Sequence, residues 1–304
     1  MKKVLVIYYS QTGQLKELAE HCVKPLLNAE NIQVDYLNIQ TREKFPFPWT
    51  AQEFFGVFPE TVYNTPFELE PLENTATDYD LIVLAYTVWY MNPSIPINSF
   101  LKSAHAKKLF DGKKVVTLIG ARNMWVLCQQ KVKGFLKDLN ARLIGNIALV
   151  DRAKNLTSIV TVIRWMFYGK KDAFLFFPPA GIAQQDIINS QRFGNSILSY
   201  LEEKTREEDL QKELNALGAT EIQPNLLVLE KRATKLFKKY ADFIAKKGGY
   251  KDPARKTRVK MLSYSIPVGA FVLSPITTIM TYLVSLIKRK EIEKEIAYHK
   301  QNKL

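Results

Sequence analysis

Cysteine and histidine are scarce in this 304-residue chain, which contains two Cys and three His. Cys22 and Cys128 lie far apart within predicted helices, which favours a reducing compartment over a disulfide framework. No Cys/His set has the spacing of a zinc site, and a His-based catalytic triad is not expected either. We therefore expect no metal, and redox chemistry by a bound organic cofactor becomes the more natural hypothesis.

Two common phosphate-binding signatures are also missing. Met1 to Tyr9 predicts a buried strand that runs into Ser10-Gln11-Thr12-Gly13-Gln14, where a helical pattern begins. This loop has no Gly-Lys-Ser/Thr and only one glycine, so it is neither a Walker loop nor a dinucleotide fingerprint. A short hydroxyl-and-glycine loop at a helix N-terminus still directs backbone N–H groups and the helix dipole toward one point. It predicts a phosphate site, with a polar turn that binds no ligand as the alternative.

Apolar runs without polar alternation predict strands whose two faces are both covered by helices. They lie at residues 33–38, 81–86, 114–120 and 142–150, and helices are predicted at 14–28, 97–104, 124–139 and 184–203. Together with the first strand they predict an α/β fold: a five-stranded, parallel, doubly wound sheet of the flavodoxin-like order. In such a sheet ligands bind beyond the carboxyl ends of the strands.

Aromatic and polar residues follow two of these strand ends, and a third end carries the hydroxyl loop. Strand three is followed by Thr87, Val88, Trp89 and Tyr90, and strand four by Gly120, Arg122, Asn123 and Trp125. The first loop resembles the hydroxyl-x-Thr-Gly loop of flavodoxins, which holds the FMN phosphate, although Leu15 stands where many members carry a hydroxyl. The other two loops resemble those that flank the isoalloxazine in flavodoxin-like quinone reductases. The resemblance implies FMN as cofactor, with packing alone as the alternative for the aromatic residues.

Three side chains are candidates for roles in catalysis. Arg122 near the flavin pyrimidine edge would stabilise the anionic reduced ring, and a salt bridge with Asp151 is the alternative. Tyr86 and Tyr90 are candidate proton relays, because no His or Glu is assigned to this region.

Two apolar insertions and a basic extension enlarge the predicted flavodoxin-like domain of residues 1–203. Residues 45–67 hold eight aromatics and four prolines, a mixture that predicts a structured lid or pocket wall without regular helix or strand. The second insertion, about 151–183, includes an apolar stretch at 156–168 too short to span a bilayer, which predicts an interfacial or pocket-lining helix. Residues 204–260 predict a helical basic extension, 261–287 an apolar segment and 288–304 a basic tail.

The charge distribution indicates the kind of surface to which the protein binds. The net charge is +13, and residues 230–260 carry twelve Lys and Arg against three Asp and Glu. The 27 residues from Met261 to Ile287 carry no charge. A basic run beside a long apolar one is typical of attachment to an anionic leaflet rather than to nucleic acid. With prolines at 267 and 275, we expect a monotopic or re-entrant segment, and a single span, a buried helix pair or a homodimer contact are the alternatives.

The start of the chain, Met-Lys-Lys-Val-Leu-Val-Ile-Tyr-Tyr-Ser-Gln-Thr-Gly-Gln-Leu-Lys-Glu-Leu, and the run Gly-Ala-Arg-Asn-Met-Trp resemble the flavodoxin-like component of dialkylresorcinol and flexirubin pigment pathways. That family is often labelled a dialkylresorcinol condensing enzyme. The resemblance implies an aromatase that oxidises a dialkyl cyclohexane-1,3-dione, a hydrophobic substrate supplied by a ketosynthase and acyl carrier protein, to a dialkylresorcinol.

The residues leave the flavin's redox partner open among NAD(P)H, oxygen and a quinone. A membrane-associated NAD(P)H:quinone reductase and a non-catalytic scaffold are the alternative functions. No signal peptide pattern precedes the first strand, so a cytoplasmic protein, peripheral or monotopic on the inner membrane, is expected.

Overall fold

A computed structural model describes residues 1–73 and 75–303, apart from the side chains at 274 and 275. Within this part of the chain, five parallel strands form the central sheet in the order β2 (Ile32–Asn38), β1 (Lys2–Tyr8), β3 (Leu81–Trp89), β5 (Lys114–Ala121) and β6 (Arg142–Val150). A two-residue strand, β4 (Asn92–Pro93), pairs antiparallel with β3. Without β4, this is the 2-1-3-4-5 order of the flavodoxin-like fold. The predicted fold class is therefore confirmed, with β4 as an addition.

Helices cover both faces of the sheet and continue past it. The helices in the described ranges are α1 (Gln14–Leu27), α2 (Ala51–Gly56), α3 (Phe58–Val62), α4 (Ile95–Leu101), α5 (Ala104–Phe110), α6 (Val126–Asp138), α7 (Asn155–Tyr168), α8 (Gln184–Ile188), α9 (Gln191–Leu201), α10 (Glu207–Ala216), α11 (Pro224–Ala245), α12 (Lys256–Val272), α13 (Ser274–Ile287) and α14 (Arg289–Gln301).

The alternating side chains of β1 show why its sequence is apolar throughout. Val4 and Val6 pack into one buried cluster with α1, α9 and α10, whereas Leu5 and Ile7 pack into a second cluster with α4, α5 and α6. Because each face of the strand is covered, neither set of alternating positions is left for polar residues. The parallel register pairs Tyr8 with Ala85, which brings the loop after β1 beside the end of β3.

The insertion at 45–67 departs from the prediction, because it contains the two short helices α2 and α3. Thr50 and Glu53 form a capping box: the Thr50 side chain accepts from the Glu53 N–H, and the Glu53 carboxylate accepts from the Thr50 N–H. Pro59 lies in the first turn of α3, where a helix needs no N–H donor from it. The aromatics and prolines are thus compatible with helix at these positions.

Other predicted helices differ in their bounds. The one predicted at 97–104 is the pair α4 and α5, and the one at 184–203 is broken into α8 and α9. The predicted basic tail largely forms α14, whose Ile292 is buried in the cluster behind α6. Helix α12 runs through Pro267, and the chain breaks its helix at Leu273 instead.

The C-terminal extension packs against the first insertion. Helix α11 contacts α3, and α12 contacts α2. Their shared apolar cluster consists of Phe55, Phe58, Ala241, Ile244, Val259 and Leu262. We call α2 and α3 the lid, because they lie between this extension and the carboxyl ends of the strands. The segment boundaries given above stay a prediction.

Candidate functional site

A cavity of about 270 Å³ opens at the carboxyl ends of β1, β3 and β5. The lid, α7 and the turn before α8 close its other sides, so the helix predicted within 156–168 is one of its walls. Most of the predicted cofactor-binding residues line it. The lining residues are Ser10, Gln11, Thr12, Gln14, Leu15, Phe54, Thr87, Val88, Trp89, Tyr90, Gly120, Ala121, Arg122, Val162, Trp165, Met166, Gly181 and Ile182.

The loop after β1 leaves several hydrogen-bond donors free. Gly13 caps helix α1 with φ 84°, a left-handed conformation that glycine adopts without strain, and the Ser10 and Thr12 hydroxyls accept from the Lys16 and Gln14 N–H groups. Among the described residues, the backbone N–H groups of Gln11, Thr12, Gly13 and Leu15 donate to no protein acceptor. Unpaired N–H groups at a helix N-terminus fit an anion, and a phosphate in particular.

The Gln14 side chain, in contrast, is fully engaged within the protein. Its amide donates to the Ile182 carbonyl at 3.0 Å and accepts from the Ile182 N–H at 3.1 Å. This clasp requires glycine at 181, where φ is 81° and a Cβ would lie 2.6 Å from the Gln14 amide oxygen. The side chain of Gln14 therefore joins α1 to the turn before α8 and is not available to a phosphate.

Aromatic side chains build the wall opposite this loop. Trp89 meets Phe45 and Trp49 edge-on, with ring centroids 5.2 and 5.6 Å apart. The next two residues, Tyr90 and Met91, turn the chain from β3 into β4 with φ of 48° and 62°. Two consecutive left-handed residues are the geometry of a type I′ hairpin, which normally requires Gly or Asn. Strain of this kind concentrates at ligand-binding sites, and here it fixes the loop at the mouth of the cavity.

The two candidate proton relays have other roles. Tyr86 is completely buried outside the cavity lining and donates its hydroxyl to Gln129, so its predicted place in the site is wrong. Tyr90 lines the cavity, but its hydroxyl donates to the Phe54 carbonyl at 2.8 Å. Burial raises the pKa of both phenols well above the usual value of 10. Tyr90 thus links the β3 loop to the lid rather than accepting a proton.

Arg122 is the one charged side chain that lines the cavity within the described part of the chain. Its guanidinium donates to the side-chain oxygen of Asn155 at 2.8 Å and to the Asn155 carbonyl at 3.3 Å. Asp151 instead accepts from the Ser158 hydroxyl at 2.6 Å, so the alternative salt bridge is not formed. Burial lowers the pKa of Arg122 to about 10, although the Asp151 charge partly opposes this. The cavity therefore contains a fixed positive charge with little compensation.

Of the other residues predicted near β5, Gly120 lines the cavity, whereas Asn123 and Trp125 lie behind the lining. Asn123 donates to the same Asn155 oxygen at 2.9 Å, and Trp125 is buried in the core at the start of α6. Gly120 lines the cavity, and a Cβ there would lie 3.1 Å from Leu15. This glycine lets α1 approach β5 closely.

The lid is anchored from behind by a buried ion pair that no sequence pattern indicates. The Arg255 guanidinium donates to both Glu60 carboxylate oxygens, at 2.6 and 3.1 Å, and to the Gly56 carbonyl at 3.1 Å. Both side chains are largely excluded from solvent, with 3% of Arg255 and 11% of Glu60 exposed. Since Phe54 faces the cavity from the same lid, the extension holds one wall of the site in place.

No protein-family model and no curated protein matches this chain. Solved flavoproteins resemble it in structure. A flavoprotein from Lactobacillus acidophilus in complex with FMN is 19% identical with a TM-score of 0.40, covering 49% of this chain and 93% of that one. An archaeal flavodoxin is 11% identical with a TM-score of 0.36, covering 66% and 99%, and Bacillus cereus flavodoxin 1 is 14% identical with a TM-score of 0.34, covering 66% and 99%. The fold assignment rests on the strand order described above, not on these scores.

Proposed function

We propose that the cavity binds FMN, with its phosphate at the loop after β1 and its ring system between the aromatic walls. The observation that carries this proposal is the combination of free N–H donors at one end of the cavity with Trp89, Tyr90, Trp165 and Arg122 around the rest. The volume of about 270 Å³ is close to the lower limit of roughly 300 Å³ for ligand pockets, so a substrate needs movement of the lid.

Bound FMN supplies a two-electron acceptor for the dehydrogenation of a substrate. Arg122 provides preorganised positive charge where negative charge develops during such a reaction. No Asp, Glu, His or Lys lines the cavity in the part of the chain that the structure describes. A substrate whose own C–H bonds are acidic suits such a site, because it needs no strong protein base.

The substrate we propose is a dialkyl cyclohexane-1,3-dione, which is oxidised to a dialkylresorcinol, as the family resemblance implies. A 1,3-dione enolises readily, so the ring loses one hydrogen as hydride and a second as a proton to solvent. The apolar side chains of Phe54, Val162, Trp165 and Met166 favour a substrate with alkyl chains. A ketosynthase and an acyl carrier protein would supply it, and oxygen, an oxidised nicotinamide, NAD(P)+, or a quinone would accept the electrons from the reduced FMN.

Incubation of FMN-loaded protein with a dialkyl cyclohexane-1,3-dione tests this proposal. Mass spectrometry should show a product two hydrogens lighter, formed faster from a long-chain than from a short-chain dione. A parallel sample with NAD(P)H and a quinone identifies the alternative activity. Quinone reduction without any dehydrogenation of the dione would refute the aromatase.

We further propose that α12 and α13 attach the protein to the cytoplasmic face of the inner membrane. Among the described residues, no single helix is long and apolar enough to cross a membrane. Only together are the helical segments Pro253–Val272 and Ile276–Ile287 long and apolar enough, and the chain bends by 62° between them.

Helix α13 exposes its large apolar side chains, which a helix in water normally buries. The side chains it turns toward the protein are small or polar, whereas those on its other face are large, apolar and exposed. Thr281 is 2% exposed, but Ile279 is 61% and Ile287 is 82% exposed. Helices in water bury their apolar stripe, while small and hydroxylated residues form helix contacts in membranes. This reversal supports a lipid-facing surface.

Vesicle flotation of the purified protein tests the attachment. Ile279→Ser with Leu283→Ser should lower flotation severalfold, because both side chains are exposed on the apolar face of α13. Leu27→Ser, a matched exposed position on α1, should not change it. Equal flotation of the parent and both variants would contradict the attachment.

A further inference from the structure

A second cavity, of about 410 Å³, lies between α11 and α12, away from the flavin site. Leu236, Tyr240 and Phe243 of α11 form one side, and Met261, Leu262 and Ser265 of α12 form the other. We call it the α11/α12 groove. Most of its exposed lining surface is apolar and the groove is open to the exterior, so it suits a flexible hydrocarbon chain rather than a polar metabolite.

Two cationic side chains, Lys239 and Arg258, also line this groove. The Arg258 guanidinium stacks on the Phe243 ring at 4.3 Å and donates to the Phe243 carbonyl. Lys239 is exposed, and no carboxylate within the described ranges forms an ion pair with either residue. These two charges belong to the segment 230–260, which contains twelve Lys and Arg but only three Asp and Glu. The groove is therefore complementary to an anion joined to an apolar chain.

The groove is continuous with the exposed apolar face of α12 and α13. Met261 belongs to both, and the exposed residues Tyr264, Val268 and Phe271 continue from it along α12. From Met261 to the break at Leu273, the helix rises by roughly 18 Å, close to the ~15 Å thickness of the hydrocarbon region of one leaflet. Insertion of this face to that depth places Lys239 and Arg258 at the level of lipid headgroups.

We propose that the α11/α12 groove binds an acyl chain of an anionic phospholipid, with Lys239 and Arg258 contacting the phosphate of its headgroup. This inference rests on the proposed membrane attachment and names the lipid that the attachment selects. The groove also adjoins the lid, because Leu262 and Tyr240 pack against Phe55 and Phe58. A bound lipid would therefore lie behind the lid of the flavin cavity.

The test uses the full chain and short-chain lipids that stay monomeric, so that binding does not require a bilayer. Dihexanoylphosphatidylglycerol and dihexanoylphosphatidylcholine are titrated calorimetrically below their micelle concentrations. We expect the anionic lipid to bind at least tenfold more tightly. Lys239→Glu should remove this preference, whereas Lys235→Glu, the same charge change one turn away and outside the groove, should alter the affinity less than twofold. Ser265→Phe should lower the affinity for both lipids, because the larger side chain partly fills the groove.

Equal affinity for the two lipids, or equal effects of the two lysine variants, would overturn the headgroup contact. Sedimentation velocity that shows a dimer dispersed by Ser265→Phe would also overturn the proposal, since a second copy would then occupy the groove. FMN retention and dione oxidation are measured in the same samples without lipid. If FMN retention or dione oxidation fails, the proposed flavin site is wrong but the lipid groove is not affected. If short-chain lipids bind but the protein does not float with vesicles, the proposed membrane attachment is wrong.

Discussion

The free N–H donors after β1 predict how strongly the protein distinguishes FMN from riboflavin, which lacks the phosphate. A hydrogen bond to a charged group contributes roughly 1.5–3 kcal/mol. If two of the four free donors engage the phosphate, the difference is at least ~3 kcal/mol, and each ~1.4 kcal/mol corresponds to a factor of ten. FMN should therefore bind at least ~100-fold more tightly than riboflavin, as measured by quenching of flavin fluorescence on titration of the apoprotein.

A substitution in the loop tests the same contact from the protein side. Gly13 has φ 84°, and a Cβ at this position would have no neighbouring atom within 4 Å, so Gly13→Val strains the backbone without a clash. The left-handed conformation costs a residue with a side chain roughly 1–2 kcal/mol, and relaxation of the loop should misplace its N–H groups. We expect FMN affinity to fall at least tenfold and riboflavin affinity to change little.

Gly112→Val is the matched control, because Gly112 has φ 67° and equally open surroundings but lies in the turn between α5 and β5. It should leave both affinities unchanged. FMN and riboflavin affinities within threefold of each other in the unmodified protein would refute the phosphate site.

Three further predictions concern charged groups. Arg255→Met leaves Glu60 buried without its partner and should lower the free energy of unfolding by about 3–5 kcal/mol in urea, and adding Glu60→Leu should recover part of that loss. Burial raises the pKa of Glu230, which accepts from the Leu127 N–H at 2.8 Å, to about 7 from 4.5. Between about pH 4.5 and 7 the folded state thus holds a proton that the unfolded chain releases, so the free energy of unfolding falls as the pH rises through this range. Glu230→Gln should therefore be more stable than the parent by up to ~3 kcal/mol at pH 8 and similar to it at pH 4. Arg122→Gln should lower the two-electron potential of bound FMN by some tens of millivolts in a dye-equilibration titration, because the reduced cofactor loses a positive neighbour.

The sheet could be predicted because its signal is local. An apolar run without alternation is typical of a strand covered on both faces, and each run lies within a few residues of the observed strand. The loops that follow the strands then come together at one edge whatever the rest of the chain does. This is why Thr12, Trp89 and Arg122, distant in sequence, line one cavity.

The parts that sequence analysis missed depend on contacts between distant segments. The Gln14 clasp on Ile182 and the Arg255 contact with Glu60 join residues more than 160 positions apart, so no spacing indicates them. The turn at Tyr90 and Met91 lacks the glycine that normally marks such a hairpin, and Tyr86 points into the core because of strand alternation. The capping box at Thr50, in contrast, was readable in the sequence and would have indicated helix α2.

We propose that the cavity holds FMN and that this FMN oxidises a hydrophobic cyclic dione. Anaerobic titration of FMN-loaded protein with a dialkyl cyclohexane-1,3-dione, followed by flavin absorbance, tests it most directly. We predict that the flavin absorbance bleaches and that one dialkylresorcinol forms for each FMN reduced. An FMN-loaded protein whose absorbance stays unchanged with excess dione, and which yields no resorcinol, would contradict the claim.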